Sequence, residues 1–387
     1  MGILLTELPA KIIEQICSPL DEYDLRKLRL TSRAINQKSL HYCSKALFHT
    51  LPTRLSRNSL QKWQKVLRNT VLAQGVRTIL WKDYGQDIGP DETSPLHPCL
   101  QALSQVLAIT TNCNGLSFRS IPARVTSDYV KEEHEPPKHL ALLWAVLASH
   151  DFHSLALELT SPFCYKQINS SWRQQDGTPK PDIKAAWERL ENLTINYDAS
   201  PERRKHTKWP RPLFASAVKL RSLTLDIMYP ATGPKALRLL DDAATFPVLE
   251  NLTLKGFGIT EDSLLKFLAR QGSTLRRVDF TLRVTESGES WEPMVLLLRD
   301  NASQLEHISL RRAKDRLATK ICLSFNGLCG EDLLPGAENM EFKTEQKRGV
   351  RWAGKHVAVS YAGPDMSAAL SLIHRSLDVE EDTVVGS

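Results

Sequence analysis

The sequence lacks a run of about 18 apolar residues, so no membrane-spanning helix is expected. No cationic stretch precedes an apolar run at the N-terminus, so a secretory signal is not expected either. Cysteine is sparse. The seven are scattered and odd in number, with no C-x-x-C pair. That pattern excludes a disulfide framework and suits a reducing compartment, cytoplasm and/or nucleus. Motifs that announce chemistry are missing as well: there is no G-x-x-x-x-G-K-[ST] phosphate loop and no G-x-S-x-G elbow. His150 and His153 have no third ligand at zinc spacing, and Cys322 and Cys329 lie too far apart for a knuckle. A catalytic role, a metal and a cofactor are therefore not expected.

What is present is an ordinary globular composition of 42 % hydrophobic and 24 % charged residues over 387 positions, enough for one to three domains. The net charge of +6 is a mild excess that does not by itself call for nucleic acid.

The stretch "LPAKIIEQICSPLDEYDLRKLRLTSRAIN", Leu8 to Asn36, carries apolar residues at helical spacing. Pro9 fits a first helical turn, and Ile12, Ile13 and Ile16 form one stripe, which Pro19 stops. Asp24 is placed as the cap of a second helix that presents Leu25, Leu28 and Leu30. A third helix is expected from Arg33 to Leu47. Three helices of this size bury too little surface to stand alone, so their leftover apolar face needs a partner.

In these residues, continued through "LFHTL", the chain resembles the F-box, in the form common in fungal proteins where "DLxxLRLTSRxxN" recurs. The resemblance covers about residues 4 to 50 and departs at Lys11, where glutamate is common, and at Ile35, near a position often held by tryptophan. It implies a three-helix module over 1–50 that docks on the Skp-type adaptor, and through it on a cullin, of a ubiquitin ligase. Leu8, Pro9, Ile12, Ile16, Leu25, Leu28 and Leu30 would form or support that interface. "MGILLT" also fits the myristoylation pattern with Gly2 as acceptor, but Leu4 and Leu5 are better explained as the lead-in to the helices.

Beyond the helices one frame recurs, apolar-x-x-apolar-x-apolar: "LENLTI" from Leu190, "LRSLTL" from Leu220, "LENLTL" from Leu249, "LRRVDF" from Leu275 and "LEHISL" from Leu305, at steps of 26–30 residues. Weaker copies start at Val76, Cys113 and Phe152. Helical patterns lie between the frames, with Leu60, Trp63, Leu67 and Val71 on one face and Leu264, Phe267 and Leu268 on another. Strand plus helix, repeated, predicts an α/β solenoid over about 55–320, its parallel sheet on the concave side and its helices on the convex side. This part resembles the leucine-rich-repeat family, most clearly from Leu190 to Leu310, although the asparagine that usually follows the strand is absent from several repeats.

Strand alternation points the fourth and sixth residues of each frame into the core and the third, fifth and seventh onto the open face. The open-face residues include Asn196, Asp226, Lys255, Arg277, Asp279, His307, Ser309 and Arg311, with Lys82, Arg119 and Glu158 upstream. Of these, Asn196, Asp226, Lys255, Arg277, Asp279 and Arg311 are the candidate substrate-binding residues, whereas Arg270 should face outward from a helix.

Residues 161–182 and 200–212 read as loops. The second clusters Arg203, Arg204, Lys205, His206, Lys208 and Arg211 around Trp209. It reads as a solvated loop or as a nuclear-localisation or nucleic-acid patch. From 321 to 377 a cap is expected, with a strand pair inside "VRWAGKHVAVSYAG" and a helix from Met366 to Leu377, and then a disordered acidic tail over 378–387. The function expected from both resemblances together is a non-catalytic substrate receptor of a Skp–cullin–F-box ubiquitin ligase, feeding proteasomal degradation. Its rivals are a repeat scaffold with no ligase role and a basic nucleic-acid-binding protein.

Overall fold

The structure, a computed structural model, describes residues 4–54, 56–83, 98–120, 143, 146–159, 183–197, 211–227, 246–258, 261–283, 291–312, 321–325, 340–344 and 356–381. It is an α/β fold with a mostly parallel open sheet and intervening helices. Met1–Glu158 and Lys184–Ser387 form the bulk of two compact units. Among the described residues, no helix is long and apolar enough to cross a membrane.

The first unit opens with a one-turn helix, Leu5–Glu7, followed by α1 (Ala10–Cys17), α2 (Glu22–Thr31), α3 (Arg33–Lys38) and α4 (Leu40–Leu47). Pro9 is the residue before α1 rather than part of its first turn. The α2 cap is Asp21, not Asp24. Asp21 is extended, and its carboxylate accepts the Asp24 N–H at 2.8 Å, so Asp24 is the residue being capped. The helix expected over 33–47 bends into two at the buried Ser39, whose Oγ donates back to the Asn36 carbonyl at 3.4 Å. Ile13, Cys17, Leu25 and Cys43 form the core of this helical group, with Leu8, Leu20, Leu28, Tyr42 and Leu47 packed around it.

The sheet begins earlier than the 55 expected from sequence. Strand β1 (Thr50–Thr53) pairs in parallel with β2 (Thr78–Asp83), which leads to β3 (Gly115–Ser120) and β4 (Ser154–Leu159). Pro52 lacks the N–H that a central strand needs, and β1 lies at the end of the strand order. Between β1 and β2 the expected single helical face is split. Helix α5 (Arg57–Leu67) buries Leu60 and Leu67, then Asn69 caps α6 (Thr70–Gly75), so Val71 sits on a different helix. Asn69 Oδ1 accepts the Val71 and Leu72 N–H groups at 3.1 and 3.4 Å. Leu51, Ile79, Leu116 and Leu155 stack in register across the four strands, all buried.

In the second unit β5 (Asn192–Tyr197), β6 (Ser222–Ile227), β7 (Asn251–Gly258), β8 (Arg277–Arg283) and β9 (His307–Arg312) follow one another in parallel. The fourth and sixth frame positions stack as two apolar rows, Leu193–Leu223–Leu252–Val278–Ile308 and Ile195–Leu225–Leu254–Phe280–Leu310. All ten side chains are buried, each contributing ~1.5–3 kcal/mol. The helix Glu261–Gln271 also buries Leu264, Phe267 and Leu268, and Glu292–Asn301 buries Met294, Val295 and Leu298.

The repeat is also written in the backbone. The first residue of the frame donates to the carbonyl three residues earlier at Val76, Cys113, Leu190, Leu220, Leu249, Leu275 and Leu305. The carbonyl of the second residue then accepts two N–H groups of the next repeat: Arg221 and Ser222 on Glu191, Glu250 and Asn251 on Arg221, Arg276 and Arg277 on Glu250, and Glu306 and His307 on Arg276. In the first unit the carbonyls of His49, Arg77 and Asn114 do the same.

After β9 the direction changes. Strand β12 (His356–Ala362) lies antiparallel on β9, and its other partners are β10 (Ile321–Phe325) and β11 (Met340–Thr344). Of the segment "VRWAGKHVAVSYAG", where a strand pair is expected, the part from His356 is a single strand with partners from elsewhere, and 350–355 lie outside the described residues. The helix Met366–Ser376 follows as expected. Residues 378–381 of the expected acidic tail belong to β13 (Leu377–Glu381), because β10 offers five residues of antiparallel backbone pairing that outweigh the local acidic composition.

The helical group and the sheet of the first unit meet at Gly75, where an added Cβ would stand 2.3 Å from the Ser44 carbonyl oxygen. Gly75→Ala is therefore expected to destabilise the chain by about 1–3 kcal/mol, because backbone cannot yield as a side-chain tip can. Gly272→Ala, with its nearest contact at 3.2 Å, should cost less. Urea unfolding of both variants beside wild type checks the order.

Candidate partner-binding surfaces

Two surfaces collect the residues singled out by sequence. On the N-terminal helices the core takes one side of α1 and α2 and leaves the other in solvent. Ile13 and Cys17 point inward, while their neighbours Ile12 and Ile16 are 39 % and 37 % exposed. On α2, Leu25 is 1 % exposed and Leu30, on the opposite face, 86 %. Tyr23, at 64 %, shares that outer face, with the Lys27 ammonium 4.0 Å from its ring centroid. Pro9 is exposed, and Leu8 and Leu28 are half-buried. Of the seven candidate residues, Leu30 can touch a partner with most of its surface, and Pro9, Ile12 and Ile16 with the part they leave exposed. Leu25 can only support them from the core, and Leu8 and Leu28 do some of each. Ile35 is also buried, at the α2–α3 corner where Ser32 Oγ accepts its N–H at 3.1 Å.

The open face of the second unit carries three in-register rows. The third positions are Asn192, Ser222, Asn251, Arg277 and His307; the fifth are Thr194, Thr224, Thr253, Asp279 and Ser309; the seventh are Asn196, Asp226, Lys255, Thr281 and Arg311. Gly256, at φ 75°, bulges out after Lys255 and shifts the β7–β8 pairing by one residue.

Arg277 and Asp279 lie together, with a member that the candidate set omits. Asp279 accepts from Arg277 Nε at 3.2 Å, and its other oxygen lies 3.4 Å from His307 Nε2. The two charges are thus largely spent on each other and on His307. The signal was available, since His307 holds the third position of the last frame. Ser309, beside Asp279 in register, is buried. Lys255 and Arg311 remain exposed in the seventh row with Thr281 between them, so Arg311 stands one strand beyond the Arg277–Asp279 pair. Asp226 faces Lys255 across β6 and β7. Burial pushes its carboxyl above the ordinary 3.8, with Lys255 opposing the shift. Asn196 is half-buried beside Asp226. In the first unit Lys82, Arg119 and Glu158 stand in register on successive strands, and Arg119 pairs with Glu158. Arg270 is exposed on its helix.

Among the described residues, the remaining chemistry-bearing groups do not converge. His150 Nδ1 contacts Ser149 Oγ at 2.9 Å and the Val146 carbonyl at 3.2 Å, and burial lowers its pKa. His153 lies 3.5 Å from Asp151. Among the described residues, no group of three or more His, Cys, Asp and Glu side chains could hold a metal ion. Cys17, Cys43 and Cys113 are free thiols pushed up by burial, Cys113 to about 11. The segments 161–182 and 200–210, with Arg203, Arg204, Lys205, His206, Lys208 and Trp209, lie outside the described residues, whereas Arg211 and Pro212 of the expected loop belong to the helix Arg211–Ser216. No family model and no curated protein matches this chain.

Two expectations follow. Leu25→Asp puts a carboxylate into the helical core and should unfold that group. Ile12→Asp and Leu30→Asp should leave its helicity and melting near wild type, as circular dichroism would report. The second concerns pH. A carboxyl whose folded pKa is raised binds its proton more tightly when folded, so stability falls as pH climbs above the ordinary 3.8, and the cost persists at neutrality. Asp226→Asn should therefore melt higher than wild type at neutral pH and equal to it below the ordinary carboxyl range. A variant that melts lower at neutral pH would contradict the burial account.

Proposed function

We propose that this chain is the substrate receptor of a Skp–cullin–F-box ubiquitin ligase. Its N-terminal helices act as the F-box, and its repeated strands and helices act as a leucine-rich-repeat solenoid that holds a protein substrate. One observation carries the reading. The residues that resemble the F-box fold into a helical group whose own core is complete without Ile12, Ile16 and Leu30, which stay on its surface. Large apolar side chains kept in water at helical spacing are what an adaptor interface requires.

In this reading the chain forms and breaks no bond itself. It raises the effective concentration of substrate beside the ligase's transferring partner. The open face would select its substrate by polar contacts, with Lys255, Arg311 and Asp226 offering charge, and the Arg277–Asp279–His307 knot offering a fixed set of donors and acceptors.

The test is co-purification of the Skp-type adaptor with full-length chain. Ile12→Asp/Ile16→Asp leaves the core untouched but places two carboxylates in the interface, at a cost of several kcal/mol. Adaptor should be lost from this variant and retained by Arg270→Glu. Adaptor recovered at wild-type yield with Ile12→Asp/Ile16→Asp would overturn the reading.

A further inference from the structure

The segment ahead of α1 has little to hold it. Its one-turn helix Leu5–Glu7 buries no residue, and Leu4 and Leu5 are 63 % and 37 % exposed. Its local bonds close on themselves: Glu7 N–H reaches the Leu4 carbonyl at 2.9 Å, and the Glu7 carboxylate accepts the Leu4 N–H at 3.2 Å. A single turn of this kind does not persist alone in water. Leu8 packs partly on the helical core, which anchors only the far end of the segment.

The second anchor comes from 30 residues away. Lys38, the last residue of α3, sends its half-buried ammonium to the carbonyls of Thr6 and Leu8, 2.8 Å from each. Among the bonds of the described residues, these are the two that reach the lead-in from another element. Their placement matters. The Leu8 carbonyl shares a rigid peptide plane with the Pro9 nitrogen, and proline fixes its own φ. The Pro9 carbonyl then accepts the Ile12 and Ile13 N–H groups at 3.0 and 3.1 Å and so starts α1. One ammonium therefore sets the course of the chain from Thr6 into the helix that carries Ile12 and Ile16.

We infer that Lys38 is a positioning residue of the N-terminal docking surface: it latches the lead-in so that Leu4, Leu5 and Pro9 are presented as one rigid patch with Ile12 and Ile16. The inference rests on the docking reading for its consequence, though not for the latch itself. A latched lead-in is already ordered when the adaptor arrives, whereas an unlatched one must be ordered during binding, which lowers affinity. Lysine suits the task because its ammonium offers three donors on a flexible stem, enough for two carbonyls. Removing the ammonium while keeping the stem separates latching from packing.

The experiment uses full-length wild type, Lys38→Met, Lys38→Arg and, as control, Lys45→Met, an exposed lysine on α4. Amide hydrogen exchange is followed at Glu7 and Leu8, with Cys17 reporting on the core, and affinity is measured for a Skp-type adaptor. Charge-assisted bonds of this kind account for about tenfold or more in an equilibrium. Lys38→Met should thus exchange about tenfold faster at Glu7 and Leu8, keep its protection at Cys17, and bind adaptor about tenfold more weakly. Lys38→Arg should recover most of both, and Lys45→Met should match wild type. Unchanged lead-in exchange in Lys38→Met, unchanged affinity beside faster exchange, or loss of protection at Cys17 would each overturn the proposal, the last by making Lys38 a part of the fold. If wild type binds no adaptor, the docking reading fails by itself, and the exchange rates still decide whether the latch exists.

Discussion

The rest of the structure depends on one backbone carbonyl per repeat. Among the described residues, the carbonyls of His49, Arg77, Asn114, Glu191, Arg221, Glu250 and Arg276 each accept two successive N–H groups of the following repeat. That shared acceptor fixes where each strand starts relative to its neighbour. Once the start is fixed, alternation leaves no freedom: a shift of one residue would turn an entire apolar row into solvent. The side chains at the same position reinforce the order without supplying it. Glu191, Arg221, Glu250, Arg276 and Glu306 alternate in sign, with Arg221–Glu250 at 3.0 Å and Arg276–Glu306 at 2.7 Å. Exposed pairs of this kind are each worth at most about 1 kcal/mol, less than a single leucine of the rows beneath them.

This constraint explains which parts of the fold were legible. Strands β2 to β9 were readable because each carries its own apolar signature, which local alternation alone can place. Strand β1 has only Thr50–Thr53 with a proline inside, and it is a strand because β2 offers it a parallel edge. Strand β13 reads as an acidic tail until β10, more than fifty residues earlier, supplies a partner. In both cases the deciding interaction is non-local backbone pairing, which no window of sequence contains. The misplaced cap on α2 is a smaller instance. Asp21 and Asp24 are both competent caps, and only the extended backbone at Asp21 decides between them.

The candidate surfaces were legible in position and not in pairing. Alternation put Arg277 and Asp279 on the open face, but it could not say that His307, one strand over, would join them. A charge that is answered by its neighbour offers a partner far less than its formal sign implies. The exposed cations of the seventh row, Lys255 and Arg311, are therefore better placed for long-range attraction than Arg277 is. On the N-terminal helices the same limit applied to depth. Helical spacing groups Leu25 with Leu28 and Leu30, yet the core takes Leu25 and the solvent keeps Leu30, because α2 packs along one side only.

Within the first unit the two kinds of surface are not free to separate. Gly75, at the end of α6, approaches the Ser44 carbonyl of α4 closely enough to exclude any side chain, and Ser44 itself is buried. Helix α6 in turn delivers the chain to β2, and β1 leaves α4 after only two residues. A flexible joint at residue 50 would let the helices swing against the strands of this unit. The close glycine contact and the short connection work against such a joint, and so couple the helices bearing Ile12 and Ile16 to the strands bearing Lys82 and Arg119.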